Sequence, residues 1–265
     1  MLRLFKAGNY VYFSNMANEL TDRAFWTSYW ESKTDLACTI PKNYLFHEVF
    51  ENIVATKNSE TAIELGGFPG YYTVFLKKHL GISKATLLDY FIHPGLIKQL
   101  CQANALAPSD IEIIETDLFA YNPTNSYDLV LSCGLIEHFK DTRDILDRHV
   151  QFMKTGGSLV VTLPNFRGMN GWVQKTFDKE NYDKHELACM DPALLRTLLE
   201  ELGLSVQKAG YYGKFSVWLE KKDSQSALAK LFVKGIWVLG KVWSKLFPFE
   251  SKALSPYILV VAEKR

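Results

Sequence analysis

The chain has 265 residues, 48% of them hydrophobic, and a formal net charge of +1. That length supports one large domain with insertions and a substantial core, and the near-zero charge removes the bulk signature of a nucleic-acid binder, so no nucleic acid is expected as partner. The four cysteines (Cys38, Cys101, Cys133, Cys189) are scattered and form no Cys-x-x-Cys pair, which argues against a zinc site and a secreted disulfide framework; no metal is expected.

The N-terminus carries no long apolar h-region, and no uncharged apolar run reaches about 18 residues, so neither a signal peptide nor a spanning helix is expected and a cytoplasmic location fits best. Residues 1–58 hold a dense aromatic group, Phe25-Trp26-Thr27-Ser28-Tyr29-Trp30. A helical pattern over Lys42–Ala55 follows, with Leu45, Phe46, Val49, Phe50, Ile53 and Val54 at helical spacing. This stretch reads as a helical N-terminal cap packed on the domain, or a lid over its cleft.

From residue 59 the pattern alternates. Strands are predicted at Thr61–Leu65, Lys84–Asp89, Ile111–Glu115, Ser126–Ser132, Gly157–Leu163, Leu204–Ala209 and Tyr257–Glu263. Helices are predicted at Gly70–Leu80, Pro94–Asn104, Thr142–Met153 and from Asp191 to about Leu202, the last with Asp191 as N-cap and Gly203 as C-cap. Such alternation means a largely parallel sheet covered on both faces. Two insertions, 165–190 and 224–250, interrupt it; the first is long enough to expect a functional loop over the sheet edge.

Open parallel sheets bind ligands at the carboxyl ends of their strands, and those ends carry a consistent set here. The first strand ends in Glu64 and a glycine turn, Gly66-Gly67-Phe68-Pro69-Gly70. Glycine suits a turn that needs positive φ or leaves no room for a Cβ, and the helix after it offers free N–H groups. The second strand ends in Asp89, about twenty residues on, where a carboxylate accepts from both hydroxyls of a ribose. Asp117 follows the third strand; it suits an exocyclic amine, or is a turn residue or helix cap. The fourth strand opens into Ser132-Cys133-Gly134-Leu135-Ile136-Glu137-His138-Phe139.

Glu64-x-Gly66-x-x-x-Gly70, Asp89, Asp117 and Gly134–Phe139, in this order and spacing, resemble the class I S-adenosylmethionine-dependent methyltransferases, most closely their small-molecule branch. The resemblance covers about residues 60–210, and the final strand fits the antiparallel seventh strand of that family. It implies an α/β fold: a Rossmann-like, seven-stranded, mostly parallel sheet with an antiparallel last strand. It also implies an enzyme that moves a methyl group from S-adenosylmethionine to a small-molecule, lipid-linked or saccharide acceptor by in-line displacement. By the same carry-over, Glu64 and the backbone of Gly66, Gly67, Phe68 and Gly70 hold the methionine part. Asp89 takes the ribose, and Asp117 and Leu118 contact adenine with Tyr90 as a wall. Ser132, Cys133 and Gly134 run past the amino group. The family often has glycine where Phe68 stands. Phe68-Pro69 stiffens the turn and fills the space a dinucleotide's pyrophosphate needs, which favours a sulfonium cofactor over the alternative of a nicotinamide-dependent oxidoreductase. Against the other alternative, a non-catalytic S-adenosylmethionine-binding module, stand the intact Glu64, Asp89 and Asp117.

Two histidines are candidate bases. His138 is a general base or part of the pocket wall; His185, on the first insertion, is a rival base or a solvated loop residue. In the second insertion, residues 227–247 read as a helix. Leu228, Leu231, Phe232, Gly235, Val238, Leu239, Val242, Trp243, Leu246 and Phe247 share one broad face, and Lys234, Lys241 and Lys245 lie on the other side. Two readings stand: an interfacial amphipathic helix at the inner face of a membrane, anchored by Trp237 and Trp243, or a face that packs on the sheet, roofs the acceptor pocket or meets a second copy.

Overall fold

The protein was analysed as a computed structural model, which describes residues 5–6, 11–12, 18–220, 225–246 and 249–265. Seven strands form one sheet: β1 Thr61–Leu65, β2 Lys84–Asp89, β3 Ile111–Glu115, β4 Tyr127–Cys133, β5 Met153–Pro164, β6 Leu204–Tyr212 and β7 Tyr257–Lys264. Their order is β3-β2-β1-β4-β5-β7-β6. β1 to β5 are parallel, and β7 runs antiparallel to both its neighbours, β5 and β6. Each strand read from the sequence is present. The largest differences are that β5 begins at Met153 and β6 continues to Tyr212, both drawn out by pairing with neighbours rather than by their own composition.

The central strands are buried on both faces, which is why they read as continuous apolar runs. Alternate residues point to opposite sides. Ile63 and Leu65 of β1 pack with Val130 of β4, Ile145 and Leu146 of helix α5 (Thr142–Gln151) and Leu195 and Leu199 of α8 (Pro192–Glu201). Ala62, Leu129 and Leu131 pack on the other side with α2 (His47–Lys57), α3 (Tyr71–Leu80) and α4 (Pro94–Ala103), through Phe50, Val74, Phe75, Ile97 and Leu100. The expected caps hold: Asp191 accepts from Ala193 N at 3.0 Å, and Gly203 is left-handed after α8.

Two segments differ from the sequence reading, and a third carries no element bounds in it. The aromatic group lies on a helix, α1 (Arg23–Glu31), whose cap Asp22 accepts from Phe25 N at 2.8 Å. α2 starts at His47, not Lys42, because Phe46 sits at φ 65°, buried against Tyr72, Tyr212 and Tyr257. The gain from burying that ring outweighs continuing a helix through it. The insertion at residues 165–190, for which the sequence reading gives no element, contains two short helices, α6 (Met169–Phe177) and α7 (Lys179–Tyr182).

Helix α9 (Ala227–Leu246) overturns the core-packing reading of its broad face; Phe247 lies outside the described residues. It docks through a narrower stripe, Val233, Ile236, Gly240 and Ser244, against Val173, Phe215, Val217 and Leu219. The broad face is left outward, with Leu228 79%, Leu239 72% and Leu246 69% exposed and Leu231, Phe232, Val238, Val242 and Trp243 exposed beside them. At about 100° per residue, Lys230, Lys234, Lys241 and Lys245 fall between the docked stripe and this outward face. Gly240 lets the helix approach the Phe215 ring closely, and Phe232 packs at the edge of the contact with Trp172 and Phe177. Among the described residues, no helix is long and apolar enough to cross a membrane.

Candidate active site

A cavity of about 360 Å³ opens at the carboxyl ends of β1, β2 and β4, a volume in the range of small-molecule sites. Its floor is the glycine turn. Glu64 runs beneath the turn, and its Oε2 accepts from Thr73 N (2.8 Å) and Thr73 Oγ1 (2.5 Å) at the start of α3. The turn must pass directly over that side chain: a Cβ on Gly67 would stand 2.2 Å from Glu64 Cδ. Gly66 is at φ 62°, and a Cβ there would meet Leu135 Cδ1 at 2.4 Å. Burial raises the Glu64 carboxyl to about 7 despite the opposing hydrogen bonds from Thr73.

Asp89 closes β2 beside the same turn. Its Oδ2 accepts from Phe68 N (3.0 Å) and its Oδ1 from Phe91 N (2.9 Å). Each oxygen thus keeps a lone pair for a further donor. Burial lifts this carboxyl to about 6, against those backbone donors. The Phe68 ring is buried edge-on between Trp30 (5.3 Å) and Phe91 (5.1 Å). Phe68 also lines the cavity.

Tyr90, Asp117 and Leu118 line the next part of the wall, and Cys133 and Gly134 line it after β4. Asp117 Oδ1 accepts from Phe119 N at 2.8 Å, a local turn that presents the carboxyl. Arg148 on α5 fixes this loop from behind by donating to Leu118 O (2.6 Å) and Tyr121 O (2.5 Å). Sequence reasoning passed Arg148 over, since nothing local ties it to β3. Gly70 and Ser132 do not line the cavity: Gly70 is the left-handed N-cap of α3, and Ser132 is fully buried, donating from Oγ to His149 Nε2 at 2.8 Å.

The far wall is aromatic and was not foreseen in detail. Phe25, Trp26, Tyr29 and Trp30 of α1 face Phe166 and Trp218 across the cavity. Trp26 lies edge-on against His138 at 4.9 Å, and Tyr29 OH donates to Glu220 Oε1 at 2.6 Å. The dense aromatics ahead of the first strand were the only signal for this wall. Glu19 also lines it, raised to about 7 by burial and then by the nearby Asp117 and Asp22 carboxylates.

The structure brings His138 and His185 together, ring centroids 4.8 Å apart, with Glu137 alongside. Burial depresses both imidazoles, His138 to about 3 and His185 to about 4, so both are neutral near pH 7. A base that weak is poorly matched to taking a proton at neutral pH. Burial raises Glu137 to about 8.

Comparison with known proteins agrees with the geometry. Residues 63–159, from β1 into β5, match the family model of a methyltransferase domain. No match is found among curated proteins. Among solved structures, the chain resembles the plantazolicin methyltransferase BpumL in complex with a pentazolic desmethylPZN analog and SAH, at 15% identity over 92% of this chain and 91% of that one, with a TM-score of 0.55. It is similar to a putative sarcosine dimethylglycine methyltransferase from Galdieria sulphuraria (14% identity, 91% and 97% covered, TM-score 0.53). A putative methyltransferase from Haloferax volcanii, solved in complex with the activator Trm112, is a further neighbour (16% identity, 81% and 88% covered, TM-score 0.52).

Proposed function

We propose that this chain, which carries a methyltransferase domain on the class I S-adenosylmethionine-dependent fold, methylates a small amphiphilic acceptor that is lipid-linked or held at a membrane surface. The cofactor half of this reading is supported by the cradle formed by Gly66, Gly67, Glu64 and Asp89. When bound there, S-adenosylmethionine supplies an activated methyl group on a sulfonium. Asp89 offers one remaining lone pair per oxygen to the two ribose hydroxyls. Asp117, Leu118 and Tyr90 hold the adenine. Glu64, the turn at Gly66, Gly67 and Phe68, and Cys133 and Gly134 hold the methionine part. Phe68 takes the room a pyrophosphate would need, so the fit is to a cofactor without phosphate.

The residues of this chain have three tasks in the transfer. They align the acceptor with the methyl carbon and sulfur, they exclude water, and they leave the sulfonium charge facing aromatic rings rather than anions alone. The wall of Phe25, Trp26, Tyr29, Trp30, Phe166 and Trp218 suits an acceptor with a flat or apolar body. We assign no proton transfer to His138 or His185. Calorimetry with S-adenosylhomocysteine tests the cofactor reading: micromolar binding is expected, and absence of binding, or tight binding of NADH instead, overturns it.

The acceptor half rests on α9. An outward apolar face of this extent, flanked by lysines and two tryptophans, matches an in-plane membrane helix. The lysines suit an anionic surface, each adding about 1 kcal/mol. The chain is expected to float with vesicles containing phosphatidylserine, and Leu231→Glu/Val238→Glu/Val242→Glu is expected to abolish flotation while S-adenosylhomocysteine binding persists. Equal flotation of the two proteins removes the membrane reading, and a concentration-dependent dimer lost in the triple variant replaces it with a self-association face.

A further inference from the structure

We propose that Glu137, His138 and His185 bind a divalent transition-metal ion in the wall of the cavity. One ligand atom from each lies within 4.8 Å of the others. Glu137 and His138 sit in the 3-10 turn Ile136–His138 that follows β4, and His185 follows α7. The two segments are tied together next to the cluster, where Glu186 N donates to Glu137 O at 2.6 Å.

Two features of the cluster point to a cation. The first is the Glu137 carboxyl. It is 1% exposed, and its Oε2 has no hydrogen-bond partner among the described residues. A buried oxygen left without a partner is costly, on the order of 1–3 kcal/mol, and a bound cation removes that cost. The second is the orientation of the imidazoles. His138 Nδ1–H donates to Lys184 O at 3.1 Å, and His185 Nδ1–H donates to Asn181 O at 2.7 Å. A carbonyl can only accept, so each ring carries its proton on Nδ1 and keeps the Nε2 lone pair for a ligand. A histidine held by a backbone carbonyl at one nitrogen is the usual arrangement behind a metal bond at the other.

Two imidazoles and one carboxylate suit zinc, cobalt, iron(II) or manganese better than calcium or magnesium, which prefer oxygen alone. With bonds of about 2.1 Å, adjacent ligands stand about 3.4 Å apart, so the three side chains draw inward around the ion. Three protein ligands leave coordination positions open. All three residues line the cavity, so those positions lie where an oxygen of a bound small molecule can reach. The ion site does not depend on the methyl-transfer reading.

The test is a titration of untagged, chelator-stripped protein with cobalt(II). A visible d–d absorption that saturates at one equivalent and is bleached by one equivalent of zinc is expected. His185→Ala and Glu137→Gln are each expected to weaken cobalt binding at least tenfold, while His93→Ala, an exposed histidine at the start of α4, leaves it unchanged. No saturable band in the wild-type protein, or an undiminished band in His185→Ala, overturns the site. Circular dichroism and S-adenosylhomocysteine calorimetry on the same samples separate loss of metal from loss of fold or of cofactor. Should Glu137→Gln fail to fold, His185→Ala, at a half-buried residue, decides the question with the wild-type titration.

Discussion

Asp89→Ala is expected to weaken S-adenosylhomocysteine binding at least tenfold, which is about 1.4 kcal/mol. The carboxylate sits at the end of β2 with one backbone donor on each oxygen, so it is oriented before any ligand arrives. A hydrogen bond to a charged acceptor contributes about 1.5–3 kcal/mol, and two ribose hydroxyls would engage it together. The variant also frees the N–H of Phe68, which stiffens the turn through this one contact. Asp89→Asn is the sharper comparison, since it keeps size but cannot accept on both atoms. The carboxyl titrates near 6 and would grip the ribose in its ionised form, so affinity is fully present above that pH. It is lost as the pH falls through 6, by about tenfold between pH 7 and pH 5. Asp89→Asn should flatten that pH dependence. Calorimetry across pH reads both effects, and wild-type affinity in Asp89→Ala would remove this residue from the cofactor site.

The second large effect is expected from Gly67→Ala. Its new methyl group would overlap the Glu64 carboxyl at 2.2 Å, and Glu64 cannot step aside without breaking both bonds to Thr73. Overpacking of this kind costs about 1–3 kcal/mol, and lifting the turn displaces the surface that would carry the methionine part. A lower unfolding midpoint together with at least tenfold weaker S-adenosylhomocysteine binding is expected. Gly81→Ala is the control. Gly81 is left-handed at φ 69° with open space around its Cβ position, so alanine there carries only backbone strain, about 1 kcal/mol, and leaves binding intact. Equal losses in the two variants would mean that the crowding over Glu64 does not matter.

Much of the fold was legible because its signals are local. Strand burial on two faces writes itself as short apolar runs, and helix ends are marked by Asp191, Gly203 and Pro94, whose backbone preferences act within a turn or two. The glycine turn, Asp89 and Asp117 were legible for the same reason: strand ends in a parallel sheet fall on one edge, so their spacing along the chain already places them together. Phe46 shows where locality fails. Its helical spacing is real, yet the ring is worth more buried among Tyr72, Tyr212 and Tyr257, and the helix begins one residue later.

By itself, then, the sequence determined the strands and helices and put Glu64, Asp89 and Asp117 at strand ends, all products of period and turn chemistry. The antiparallel last strand was implied only by the family resemblance and is seen in the pairing of β7 with β5 and β6. Only the tertiary structure decided what surrounds those strand ends. It laid the α1 aromatics over the turn, brought His185 to Glu137 and His138 from a distant segment, and turned the large apolar face of α9 outward. Each of these depends on which surfaces meet, and residue spacing along one element carries no record of its partner. The α9 stripe of Val233, Ile236, Gly240 and Ser244 is chosen by the ring of Phe215 beneath it, and that choice leaves the richer hydrophobic face to whatever the protein meets next.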